Sequence, residues 1–165
     1  KEKHANPLTR EIHIAIAPTK NNDRMEWFVE KAVEIGVSSI TPIICKNSER
    51  VKLKQERFLK VAISAMKQSN RLYLPIINEP MKLMDFMAKD DSESKLIAHC
   101  EEEKKSDLSQ LSIGKSVSIL IGPEGDFSRS EIEKALEENY IPTSLGNSRL
   151  RTETAGIVAC TLLNQ

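Results

Sequence analysis

The sequence predicts an α/β domain built on a mostly parallel sheet. Short apolar runs with strand character alternate with longer segments whose apolar residues recur at helical spacing. One run, "SVSILIG" from Ser116 to Gly122, is the most apolar strand candidate, as expected of a strand covered on both faces. At 165 residues the chain fits a single domain over residues 1–165, large enough to fold without disulfides or a structural metal.

Each element has its own signal. "REIHIAIAP" alternates Ile12, Ile14 and Ile16 as a strand, and "DRMEWFVEKAVEIG" places Met25, Phe28, Ala32 and Ile35 on one helical stripe closed by Gly36. "SSITPIIC" predicts a second strand, and "RFLKVAISAMKQS" a second helix with Phe58, Val61, Ala62, Ala65 and Met66 inward. "LYLPII" and "SKLIAHC" read as short strands separated by a short helix at "MKLMDFMA", and "EEEKKSDLSQ" as a charged surface loop. After "SVSILIG", Ser128 and Glu131 have capping-box spacing at the start of a helix running to about Asn139. "IPTSL" is a last strand, and "TETAGIVACTLL" a last helix with Ala155, Val158, Ala159 and Leu162 inward.

Composition narrows the partners. The three cysteines, Cys45, Cys100 and Cys160, form no C-x-x-C pair and read as reduced thiols in or near the core. The histidines, His4, His13 and His99, are scattered, so no metal site is expected. No stretch approaches the roughly 18 apolar residues that span a bilayer, and no leader pattern opens the chain, so a cytoplasmic protein is expected. The chain begins "KEKHANPLTRE" without methionine, which suggests a missing N-terminal part. Net charge is zero, yet Lys46 to Arg71 carries eight basic residues against Glu49 and Glu56, a local excess of six. Such a run is either a solvated helix face or a phosphate-binding surface.

Ligands of parallel α/β sheets bind beyond the carboxyl ends of the strands. Three loops there have unusual composition: "IAHC", "IGPEGDF" and "LGNSRLRTETA". No P-loop, G-x-G-x-x-G, H-E-x-x-H or G-x-S-x-G pattern occurs, which disfavours ATPase, dinucleotide, zinc-protease and hydrolase-elbow chemistry. Taken alone, "IGPEG" reads as a tight strand-to-helix turn.

"IGPEGDFS" followed by "LGNSRLRTETA" resembles the C-terminal signature of the SPOUT methyltransferases, in particular the RsmE family of 16S rRNA uridine-N3 methyltransferases. "DRMEWFVEKAVEIGVSSITPIICKNSER" and "AMKQSNRLYLPII" are similar to further family segments, so the resemblance covers nearly the whole chain. It implies a SPOUT-type sheet with a C-terminal trefoil knot, S-adenosylmethionine as cofactor, a homodimer, and an N-terminal PUA-like domain absent from this chain. The implied substrate is 16S rRNA in the small ribosomal subunit. Two alternatives stay open: a non-catalytic knotted RNA-binding or ribosome-assembly module, and a ribose 2'-O-methyltransferase of the same superfamily.

Carried over by motif, the resemblance assigns the cofactor to Ile97, Ala98 and His99, to Ile121, Gly122, Pro123 and Gly125, and to Leu145, Gly146, Leu150, Arg151 and Thr154. Glycines suit such a pocket because adenine and ribose pressed against backbone leave no space for a Cβ. Glu124 and Glu153 are acids for the positive sulfonium or caps of helix N-termini. Uridine N3 must lose its proton to become a nucleophile, so the chemistry needs positioning and stabilisation of negative charge. Arg151 is the first candidate for that charge or for an adjacent phosphate, and Glu153 or water is the candidate base. Arg50, Arg71 and Arg149 are candidates for RNA contact, the first two alternatively for completing the site across a dimer. The chain departs from the family pattern at Asp126, where a glycine is common, and at Ser148 and Arg149, where arginine then an aliphatic residue is common.

Overall fold

The computed structural model describes residues 10–100 and 104–165. His4 and the start of the charged segment "EEEKKSDLSQ" lie outside them. Among the described residues, eight strands form a sheet in which every pairing is parallel. In chain order they are β1 (Glu11–Ile16), β2 (Ser39–Ile44), β3 (Ile76–Ile77), β4 (Met81–Lys82), β5 (Ser94–Ala98), β6 (Ser106–Asp107), β7 (Ser116–Ile121) and β8 (Ile141–Ser144). They lie side by side as β3-β2-β1-β7-β5-β8-β6, with β4 also paired to β2.

Alternation along the strands makes two cores. Ile12, Ile14, Ile16, Leu96, Ile119 and Ile121 face one side, where α1 (Asn22–Ile35), α2 (Gln55–Gln68) and α5 (Thr152–Leu163) cover them. Ala15, Ala17, Ile43, Ile97 and Leu120 face the other, under α3 (Leu83–Lys89) and α4 (Arg129–Glu137). β7 is buried over Val117–Ile121, as its apolar run requires.

α1 and α4 begin where their capping signals stand. The Asn21 side chain accepts from the Asp23 N–H at the start of α1, and Gly36 ends it at φ 112°, a conformation that excludes most side chains. Met25, Phe28 and Ala32 are fully buried on that helix, and Ile35 is half-buried. On α2 Phe58, Ala62 and Ala65 are buried, with Val61 and Met66 packed at the rim. At α4 the capping box forms: Glu131 N–H donates to the Ser128 hydroxyl, and Ser128 N–H donates to the Glu131 carboxylate.

Four expectations are corrected. "LYLPII" contributes only the two-residue β3 at the sheet edge, with Leu72, Tyr73 and Leu74 exposed. The charged loop contains β6 and a 3₁₀ turn at Leu108–Gln110 whose Leu108 is buried in the core. On α5 the buried residues are Thr152, Glu153, Gly156, Ala159, Cys160 and Leu163, so of the expected stripe only Ala159 is fully buried. That face is set by α1 and β1: a Cβ on Gly156 would stand 2.5 Å from Phe28 Cε2 and 3.0 Å from Ile16 Cδ1. Cys100 is exposed, whereas Cys45 and Cys160 are buried.

β8 sits between β5 and β6, two strands that precede it in the chain. Its flanking helices lie on opposite faces, α4 in one core and α5 in the other. The far end of α5 is fastened by Arg10, whose Nη1 donates to the Leu163 carbonyl at 2.7 Å, and by Asn164 Nδ2, which donates to the Gly36 carbonyl at 3.0 Å.

Candidate functional site

The exits of β5, β7 and β8 converge, as parallel strands dictate, and their loops enclose a cavity of about 590 Å³. Ala98, His99 and Cys100 enter from β5, and Ile121 to Glu124 together with Asp126 from β7. The β8 exit contributes a continuous wall from Thr143 to Arg151, and Thr152 and Ala155 close the floor from α5. The lining mixes apolar Ile121, Leu145 and Leu150 with acidic Glu124 and Asp126 and basic Lys105, Arg149 and Arg151.

Hydrogen bonds between loops hold this arrangement. Thr152 Oγ1 donates to the Gly122 carbonyl at 2.9 Å, tying α5 to the β7 exit. Cys100 N–H donates to the Asp126 carboxylate at 3.1 Å, tying the β5 exit to the same loop. Asn47 Nδ2 donates to the Gly125 and Asp126 carbonyls, and Lys46 N–H donates to Glu131, so the β2 exit is also attached. Glu131 therefore caps α4 and anchors a second loop with one buried carboxylate. Asp126 adopts φ 61°, a left-handed conformation that aspartate tolerates better than most residues.

A second, open groove of about 610 Å³ adjoins the cavity. It is lined by Asp23, Arg24 and Trp27 of α1 and by Glu153 and Thr154 of α5. Arg149, Leu150 and Arg151 line both spaces, so three residues form the wall between them. Arg24 Nε stands 3.9 Å from the buried Glu153 carboxylate.

Of the residues assigned from sequence, Ala98, His99, Ile121, Gly122, Pro123, Leu145, Gly146, Leu150 and Arg151 line the cavity. Ile97 does not, being fully buried beneath α3 and α4. Gly125 faces Asn47, and Thr154 and Glu153 belong to the second groove. A Cβ on Gly122 would meet the Phe127 ring at 3.0 Å, so this glycine serves loop packing as well as the cavity. Gly146, at φ 131°, has open space where its Cβ would be, so its backbone conformation is what demands glycine. Arg149 lines both spaces, and Arg50 donates twice to the Lys20 carbonyl near Glu124, which itself accepts from Lys20 N–H. Arg71 lies elsewhere: its guanidinium donates to the Glu34 and Ile35 carbonyls at the end of α1.

Not assigned from sequence were Thr143, Ser144 and Thr152, hydroxyl residues whose position is set by tertiary contact, and Trp27, which the inward stripe of α1 leaves outside but whose groove only the meeting of α1 with the β8 exit creates. Burial pushes the Cys45 and Cys160 thiols up to about 12, so neither is a thiolate nucleophile. Among the described residues no cluster of three or more His, Cys, Asp or Glu is placed to hold a metal, and no helix is long and apolar enough to cross a membrane.

The family described as RNA methyltransferase domain matches residues 5–164. This chain belongs to that family. Within it the chain groups with RsmE proteins: the ribosomal RNA small subunit methyltransferase E of Buchnera aphidicola from Acyrthosiphon pisum is 35% identical over 162 residues. That match takes in 92% of this chain and 62% of the relative, so the chain spans less than two thirds of its length. A solved "probable rRNA-methyltransferase" from Porphyromonas gingivalis is similar at TM-score 0.90 and 47% identity, covering 95% of this chain and 68% of that one. A ribosomal RNA small subunit methyltransferase E from Neisseria gonorrhoeae, solved bound to S-adenosyl methionine, is similar at TM-score 0.83 and 26% identity, covering 93% and 66%. These RNA methyltransferase structures share the parallel sheet and flanking helices described above.

Proposed function

We propose that this RNA methyltransferase domain transfers a methyl group from S-adenosylmethionine to N3 of a uridine in 16S rRNA of the small ribosomal subunit. The observation that carries it is the pair of adjoining spaces divided by Arg149, Leu150 and Arg151. A two-substrate transfer needs such an arrangement, with each reactant held and the reacting atoms meeting at the partition. The cavity volume lies within the range of about 300–1,000 Å³ usual for small-molecule sites. Its backbone-rich wall at Gly122 and Gly146, its apolar residues and its two acids fit a nucleoside bearing a positive sulfonium. The Neisseria relative solved with S-adenosyl methionine supports the same cofactor.

When bound, S-adenosylmethionine supplies an electrophilic methyl group. Ala98, Ile121, Leu145 and Leu150 would pack its flat and aliphatic parts, and Glu124 with Asp126 would offset its positive charge. Arg151, exposed at the partition, stabilises the negative charge that develops on the uracil as N3 loses its proton. Arg149 and Arg50 contact phosphate. Glu153 sits in the second groove beside Arg24, which directs it toward orienting that arginine; water is then the proton acceptor. Arg71 is left out because it stands at the end of α1 and lines neither space, whereas the Lys20 carbonyl that holds Arg50 lies beside Glu124 of the cavity. We extend the proposal to a cytoplasmic homodimer in which the last strand and helix, β8 and α5, thread through an earlier loop as a trefoil knot.

The test incubates the full-length protein with labelled S-adenosylmethionine and small-subunit rRNA and digests the product to nucleosides. Label in N3-methyluridine is expected. Label in a 2'-O-methylated nucleoside would move the assignment to the ribose, and RNA binding without label would leave a non-catalytic module.

A further inference from the structure

The groove beside the cofactor cavity holds the only tryptophan of the chain. Trp27 is 42% exposed although the next residue, Phe28, is fully buried. Arg24 lies three residues earlier on the same helix, hence on the same face. Arg149 and Arg151 reach the groove from the β8 exit, and the buried Glu153 carboxylate holds Arg24 against its wall. A groove lined by an exposed aromatic side chain and three arginines, against the acids Asp23 and Glu153, suits one ligand chemistry in particular: a base that stacks on the indole while its flanking phosphates meet arginine.

We propose that Trp27 is the stacking platform for an unpaired base of the substrate RNA, held across the Arg149–Arg151 wall from the methyl donor. The inference rests on the methyltransferase reading above. A protein partner would find the same exposed ring, but the excess of three arginines over two acids in the groove and a wall shared with the cofactor cavity favour a polyanion that must approach that cavity.

Because Trp27 is the single tryptophan of these 165 residues, the intrinsic tryptophan fluorescence of this chain reports on it directly. The protein, saturated with S-adenosylmethionine, is titrated with a single-stranded uridine-containing RNA oligonucleotide, alongside Trp27→Ala and Trp27→Phe followed by anisotropy of labelled RNA. Saturable quenching is expected in the native protein. Trp27→Ala should bind RNA on the order of tenfold more weakly, Trp27→Phe within a few-fold of native, and both should bind the cofactor in calorimetry as the native protein does. Absent quenching, or equal RNA affinity in Trp27→Ala, overturns the proposal. Fluorescence that changes with protein concentration but not with RNA assigns the surface to a second copy of the chain and also overturns it. Cofactor binding lost in the native protein counts against the methyltransferase reading itself, while RNA quenching is scored separately.

Discussion

The Thr152 hydroxyl donates to the Gly122 carbonyl across 2.9 Å, and this contact fixes the first turn of α5 to the loop leaving β7. Both residues line the same cavity, so the bond sets its floor. Thr152→Val keeps the shape and leaves a carbonyl without its donor, at about 1–2 kcal/mol. Denaturant unfolding should show that loss, and calorimetry a several-fold weaker affinity for S-adenosylmethionine. Unchanged stability and affinity would mean the bond is dispensable.

Gly156 lies where α5 crosses Phe28 and Ile16. Alanine would gain up to about 1 kcal/mol in helix propensity, but its Cβ meets a ring that is fully buried and cannot swing away. Overpacking at about 1–3 kcal/mol should win. Gly156→Ala is therefore expected to lower the melting temperature, and Phe28→Leu to recover part of the loss in the double variant.

Asp126 combines a left-handed backbone with a carboxylate that holds Cys100 N–H. Asparagine and glycine both accept that conformation, which separates its roles. Asp126→Asn keeps an acceptor oxygen and should retain stability while narrowing the preference for positively charged S-adenosylmethionine over neutral S-adenosylhomocysteine by a few-fold. Asp126→Gly should weaken both ligands. Equal affinity ratios in the native protein and the asparagine variant would remove the electrostatic role.

Burial holds the His13 imidazole below its ordinary value, against the raising effect of the Asp90 carboxylate. It contacts Thr41 Oγ1 at 2.6 Å and packs edge-on to Phe86. The unfolded chain therefore takes up this proton first as pH falls through about 6.5, and stability is lost on acidification from about pH 7. Asp90 adds a further loss below the ordinary carboxylate range, because hydrogen bonds from Ser118, Tyr140 and Ser92 outweigh burial and hold its carboxyl low. His13→Gln should flatten the stability profile between pH 7 and 5; an unaltered slope would assign the dependence to other groups.

Local chemistry made much of this fold legible. Gly36 ends α1 and Ser128 caps α4 because the signals are complete within a few residues. β6 was not legible: Ser106 and Asp107 become a strand only by pairing with Thr143 and Ser144 of β8. The buried face of α5 escaped for the same reason, since Phe28 and Ile16 decide that Gly156 faces inward. At the site, motif residues of the three loops were brought together, while Ile97 on its strand, Gly125 in its turn and Thr154 on α5 faced elsewhere because adjacent residues of each element point in different directions. Trp27 and Thr152 needed the tertiary structure, because their roles depend on α1 and α5 meeting the β8 exit.

The cavity bounded by the β5, β7 and β8 exits is where we place S-adenosylmethionine. Titration calorimetry of that ligand into the native protein and into Leu150→Arg tests it most directly, because Leu150 lies half-exposed on the shared wall and its replacement adds bulk and positive charge without touching the core. Saturable binding by the native protein, weakened at least about tenfold in a variant of unchanged melting temperature, is the predicted result; equal binding in both, or none by the folded native protein, would contradict it.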